Sequence, residues 1–429
     1  MKTFIEPAKK DWPEILKRPT MELEEIEKLV RPVMEEVQSK GDAALKELTA
    51  RFDGVEIDEM AVSAKEIEEA KNQVSSELKS AILQAAANIE KFHDAQQKEP
   101  LKVETMPGVF CYRKAVGIEK VGLYIPGGTA PLFSTVLMLA IPAKIAGCKE
   151  VVLCTPPNKG GKVHPAILFA ASAVGVNKIF KVGGAQAVAA LTFGSESVPK
   201  VHKIFGPGNQ YVTAAKQLAT KYGLAIDMPA GPSEVAVYAD ESSNAAFVAS
   251  DLLSQAEHGV DSQVVLVASN ENIVQKVNEE IDAQVKQLSR SEIAEKALDN
   301  SVSIVLNDEV QAIDLLNEYG AEHLILSVAE PWKVADQIIN AGSVFLGHLT
   351  PESAGDYASG TNHTLPTNGY AKMYSGVSLD SYTKMITYQE ITEEGIKVLG
   401  PIVEEMAAAE QLDAHKNAVT LRLRSLDNV

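Results

Sequence analysis

The sequence predicts an α/β protein of two similar halves, each with a parallel sheet, plus an N-terminal helical layer and a small C-terminal helical segment. Three observations predict it. From about residue 105, short runs of Val, Ile and Leu alternate with turns and helix-like stretches. A second series of such units begins near Val235, and the two series meet near Asp227–Pro232. Residues from about 20 to 100, and those after about 380, instead show helical spacing among many Glu and Lys. The chain is therefore expected to divide into 1–104, 105–232, 233–378 and 379–429.

The elements follow in order. Helices are expected over Met21–Ser39, Asp42–Phe52 and Ser63–Gln97, the last opening with a capping box, Ser63 to Glu66. In the first half the strands Val121–Ile125, Glu150–Thr155, Lys178–Val182 and Lys203–Phe205 lead into the helices Ser134–Ala146, His164–Val174, Ala185–Phe193 and Tyr211–Tyr222. In the second, Val235–Tyr238, Gln263–Ala268 and Val302–Leu306 lead into helices at Ala245–Glu257, Asn272–Leu288 and Val310–Tyr319. Leu324–Ser327 and Val344–Leu346 add further strands.

Composition narrows the function. The 429 residues carry 40 Lys and Arg against 58 Asp and Glu, a net charge of −18 that repels polyphosphate and disfavours a nucleic-acid partner. Three cysteines cannot frame a disulfide scaffold, which points to a reducing compartment. The start has no apolar signal core, and the most apolar stretch, Val136–Ile145, is short and interrupted by Pro142 and Lys144. A cytoplasmic protein with no membrane span is expected.

Glycine turns stand where strands hand over to helices: Gly127-Gly128, Gly183-Gly184 and Gly206-Pro207-Gly208, each with a polar neighbour, Thr129, Gln186 or Asn209. Backbone N–H groups and helix N-termini there suit a nucleotide or phosphate, although no G-x-G-x-x-G fingerprint is present. Gln255 and His258 share a helix face near a C-terminus, with Gly259 as the expected C′ residue. Asp356 in a tight Gly-Asp-Tyr turn, His363 in a loop, and His415, which follows Glu410 on the last helix, would complete an oxygen and nitrogen donor set for Zn²⁺ if they converge. Glu322-His323 pairs a carboxylate with an imidazole, suited to proton transfer near neutral pH. Ala256-Glu257-His258 and Ala321-Glu322-His323 form a weak internal echo. Cys154 carries no obvious activating neighbour and reads as packing. A zinc hydrolase and a nucleotide-binding module without catalysis stay open on these residues alone.

Longer segments then carry a resemblance. VGLYIPGGTAPLFSTVLMLAIPAKIAGCKEVVLCTPP (121–157), GGAQAVAALTFG (183–194), KIFGPGNQYV (203–212), IDMPAGPSEV (226–235), GAEHL (320–324) and FLGHLTPESAGDYASGTNHTLPT (345–367) closely resemble histidinol dehydrogenases. The resemblance implies oxidation of L-histidinol through the aldehyde to L-histidine with two NAD, at the end of histidine biosynthesis. It implies two incomplete Rossmann-like halves and a homodimer whose C-terminal segment completes the partner's site. By position it implies one Zn²⁺ per subunit on Gln255, His258, Asp356 and His415, and acid–base work by Glu322 and His323. Substrate contacts would include Ser233, His363 and Glu410 beside the metal ligands and His323. NAD contacts would be Tyr124, Gln186 and Asn209. Thr361 and Thr364 depart from the family, where Pro and Val are common.

Overall fold

The computed structural model describes residues 1–19, 23–127 and 131–427, so Gly128 and Thr129 of the first glycine turn lie outside the described residues. Two units are resolved by their internal contacts, 1–95 with 118–381, and 96–117 with 382–429.

The first unit holds both parallel sheets. One runs Lys178–Lys181, Glu150–Thr155, Lys120–Tyr124, Lys203–Phe205, Ala225–Ile226 across its width. The other runs Lys2–Ile5, Val302–Val305, Gln263–Ala268, Glu234–Ala239, His323–Ser327, Ser343–Leu346. With each half's strands counted in chain order, both sheets read 3-2-1-4-5. The second gains one strand, Lys2–Ile5, on its outer edge. That strand was not expected, since its four residues carry no buried face to betray it. A 3-2-1-4-5 order reverses direction between strands 1 and 4, creating a crevice where such sheets bind ligands.

Helices cover the sheets because their apolar faces have nowhere else to go. Ile26, Val30, Met34 and Val37 of the helix Leu23–Lys40 share one core with Val188, Leu191, Val212 and Leu218 of the first half. The helix Phe133–Ile145 is apolar all round and buried from Ser134 to Ala143, the pattern of a helix enclosed on every side. Ser63 and Glu66 form the expected reciprocal capping box. The single helix expected over Ser63–Gln97 is two, Ala64–Gln73 and Ser76–Asp94. Val74 turns extended and Ser75 caps the second.

The second unit is an antiparallel sheet in the order Thr383–Ile391, Val109–Gly117, Leu101–Met106, with the helices Glu393–Ala409 and Asp413–Asp427. The sequence pointed to helix throughout this C-terminal region. Thr383–Ile391 escapes because eight of its nine residues are exposed, leaving no alternation to read, and its partner strand lies far upstream. No helix among the described residues is long and apolar enough to cross a membrane.

Candidate functional site

The ionisable candidates gather at the amino ends of the second sheet. Glu322 directly precedes the strand His323–Ser327, and Glu234 opens the neighbouring strand. The Glu234 N–H donates to Glu322 Oε2 at 3.0 Å, while its carboxylate is turned away onto Arg18, whose Nη2 donates to Oε1 at 3.0 Å. Glu322 lies at a bend just before the strand, and His323 Nδ1 stands 3.8 Å from Glu322 Oε2. The other imidazole nitrogen, Nε2, meets Asp356 Oδ1 at 3.2 Å. His323 Nδ1 is buried without a hydrogen-bond partner.

Burial and charge displace these groups in opposite senses. Burial pushes the Glu322 carboxyl up to about 8, against the pull of His323 and the Glu234 N–H. Burial alone would lower His323, but Glu352, Glu322 and Asp356 outweigh it and bring the imidazole up to about 10. Burial also raises Glu352 well above the usual carboxylate range. It opposes the Asp356 charge too, but there the hydrogen bond from His323 prevails and holds the group below its ordinary value.

His258, Glu352 and Asp356 offer ligand atoms that all lie within 4.8 Å of one another. His258 is exposed, Glu352 buried and Asp356 half-buried. Beside it, the Gln255 amide satisfies both its groups with its oxygen on the Glu234 N–H, at 3.2 Å, and its nitrogen on Glu352 Oε1. An imidazole, carboxylates and an amide oxygen suit Zn²⁺. The surplus of buried carboxylates, which keeps a proton on His323, is what a divalent cation would relieve. The residues fit the metal.

Asp356 lies not in a tight turn but in the helix Glu352–Tyr357, four residues after Glu352. That helix is why Glu352 joins the cluster, and reading a turn at Gly355 hid it. Asp251 was missed for another reason: its helix was expected, but its burial was not. It sits one turn before Gln255 on the helix Ala245–Ala256, and burial pushes its carboxyl up to about 7. This helix ends at Ala256 with Glu257 as its cap, and Gly259 takes no positive φ, so it is not the C′ residue expected. His258 thus stands just beyond the helix and ahead of the strand Gln263–Ala268, as Glu322 stands ahead of its own strand. Ser233 lies next to Glu234 at the same edge. His363 bonds through Nδ1 to the Asp356 carbonyl at 2.8 Å and through Nε2 to Thr135 Oγ1 at 3.0 Å, and burial lowers its pKa. Thr364, one of the departures, is buried with its hydroxyl unpaired. Glu410 and His415 belong to the second unit, where both are exposed.

The neutral candidates gather at the carboxyl ends of the first sheet. Tyr124 ends the strand Lys120–Tyr124, and its buried hydroxyl accepts the Gly184 N–H at 3.2 Å; burial pushes the phenol up to about 12. Gln186 is buried in the first turn of the helix Gly184–Phe193. Asn209 caps the helix Gln210–Thr220, accepting from the Tyr211 and Val212 N–H groups at 3.1 Å each. Tyr124 and Asn209 flank the point where strands 1 and 4 diverge. Cys154 is fully buried beneath them, and burial pushes its thiol up to about 12, the reverse of a reactive thiolate.

The two edges adjoin. Thr135 follows the first strand of the first half and meets His363, while Gln210 Nε2 donates to Asp261 Oδ2, ahead of Gln263, at 3.4 Å.

Comparison with known proteins identifies the family. The histidinol dehydrogenase family model matches residues 16–423. Histidinol dehydrogenase of Bacteroides thetaiotaomicron is 62% identical over 99% of this chain and 100% of its own length. That of Yersinia pestis is 52% identical over 96% of this chain and 93% of its own. The crystal structure of histidinol dehydrogenase from Elizabethkingia anophelis superposes with a TM-score of 0.97 at 53% identity, covering 100% of this chain and 99% of that one.

Proposed function

This chain belongs to the histidinol dehydrogenase family, and we propose that it oxidises L-histidinol through L-histidinaldehyde to L-histidine, reducing two NAD in succession. The observation that carries the reading is the adjoining pair of edges, one neutral and rich in helix N-termini, the other crowded with displaced ionisable groups.

Gln255, His258 and Asp356 would hold one Zn²⁺ per subunit, with His415 supplied by the partner subunit of a homodimer. When bound, the metal supplies a template that orients the alcohol carbon through the substrate's imidazole and amine. Glu352 holds the Gln255 amide nitrogen, leaving the amide oxygen as donor. Ser233, His363 and Glu410 orient the substrate. Tyr124, Gln186 and Asn209 receive NAD.

His323 takes the hydroxyl proton as hydride leaves for NAD. Glu352, Glu322 and Asp356 hold a proton on His323, and Asp356 among them would be a metal ligand, so engaging it there would free the imidazole as a base. For the second oxidation Glu322 draws a proton from water attacking the aldehyde. A carboxyl displaced toward neutrality is matched to that exchange.

Purified protein supplied with L-histidinol and NAD should form reduced NAD. EDTA should abolish this, and Zn²⁺, Mn²⁺ or Co²⁺ should restore it. A zinc hydrolase would act without NAD, and a binding module would not turn over at all. Full turnover in verified metal-free protein would remove the metal from the reading.

A further inference from the structure

At the crevice of the first half a single residue, Gly206, is gripped through both of its backbone polar groups by a buried ion pair. Lys216 Nζ donates to the Gly206 carbonyl at 2.8 Å, and the Gly206 N–H donates to Asp227 Oδ2 at 2.8 Å. The ring closes through Lys216 Nζ and Asp227 Oδ1, 2.5 Å apart, with side chains only 4% and 0% exposed. Asp227 Oδ1 also accepts the Met228 N–H at 2.7 Å.

Stability alone does not account for such a pair. Burying an ammonium with a carboxylate is costly, and apolar replacements of buried pairs are often as stable. What the pair secures is a conformation. Gly206 has φ +135°, a region L side chains rarely adopt, and a Cβ there would lie 2.1 Å from the Tyr124 carbonyl oxygen. The turn is thereby pressed against the end of the first strand. Three residues later Asn209 starts its helix.

We infer that the Lys216–Asp227 pair is the positioning device of the dinucleotide site, holding the Gly206–Asn209 turn against Tyr124 so that the cofactor meets a prebuilt surface. A surface ordered in advance spares the cofactor the entropy of ordering it. The inference rests on the assignment of Tyr124 and Asn209 to NAD.

Lys216→Met alone strands a buried carboxylate, so the informative protein is K216M/D227N, which removes both charges. In the full-length folded enzyme, the KM for NAD and the Kd for NADH by fluorescence titration should rise about tenfold or more, with the KM for histidinol moving less than about twofold. A folded K216M/D227N protein that binds NADH as the wild type does overturns the inference. Asn209→Ala separates the two levels: normal NADH binding there defeats the cofactor assignment itself. Weakened binding in Asn209→Ala, beside normal binding in K216M/D227N, defeats only the clamp. Hydrogen exchange in the wild-type enzyme without NAD gives a check that needs no variant. The Gly206 N–H should exchange slowly, and exchange as fast as in exposed turns would contradict a prebuilt site.

Discussion

The two halves share one strand order yet gather their candidate site residues at opposite edges of it. The first keeps Tyr124, the Gly206 turn and Asn209 at the carboxyl ends of its strands, where crevices of this topology normally bind ligands. The second places Glu234, Glu322 and His323 at the amino ends of its strands. The chemistry differs as sharply. Neutral side chains and helix N-termini favour an anionic dinucleotide without binding protons. Buried carboxylates and imidazoles, displaced by one another, suit proton transfer and metal binding. A repeated strand order therefore fixes neither which edge carries the polar groups nor what chemistry they offer; the side chains do.

Substitutions at the second edge should lower turnover, and those at the first should weaken NAD. The largest effect is expected from Glu322→Gln, which should slow aldehyde oxidation by about 10²–10⁴ while sparing alcohol oxidation far more. Rates measured separately from histidinol and histidinaldehyde decide it; equal losses would end the division of labour between Glu322 and His323.

Glu352→Gln comes next. Loss of the carboxylate that fixes the Gln255 amide should weaken Zn²⁺ about 10–100-fold in competition with a fluorescent chelator. NADH affinity should not follow, which keeps the two edges distinct.

A third test asks whether the second edge is completed by another subunit. Asp356→Asn and His415→Asn homodimers should each be nearly inactive. Unfolded together and refolded in equal amounts, about half the dimers should be mixed, returning about a quarter of wild-type activity. No recovery, with mixed dimers confirmed by native mass spectrometry, would place His415 in its own chain's site.

The pH dependence of stability should separate the edges as well. Glu322 is raised from 4.5 to about 8 and His323 from 6.5 to about 10, so the folded protein binds more protons than the unfolded chain across both intervals. Their contribution is present in full below the unfolded values and is lost as pH rises through the folded ones. Metal-free protein should therefore melt at progressively lower temperature between about pH 5 and pH 10, and Glu322→Gln should flatten the lower part of that slope. A slope unchanged by Glu322→Gln would mean that its carboxyl is not displaced.

The smallest effect belongs to Cys154→Ala beneath the first edge. It should retain most activity and cost about 1 kcal/mol of stability, read from denaturant unfolding. A folded but inactive variant would restore a thiol to the mechanism.

Much of the fold was legible because its signals are short-range. The Ser63–Glu66 box, the Gly206-Pro207-Gly208-Asn209 turn and the strands of both halves depend on residues within a few positions of each other. Glu352 was not legible, because Gly355 suggested a turn, and only the helix Glu352–Tyr357 brings Glu352 and Asp356 onto one face. Tertiary structure alone decided four further matters. It set the Thr383–Ile391 pairing, the use of opposite sheet edges, the sharing of the Glu234 N–H by Glu322 and Gln255, and the Lys216–Asp227 clamp. The physical reason is one of range. Periodicity and capping are written in neighbouring residues, whereas burial, and the displaced charges that follow from it, exist only once residues distant in the chain have met.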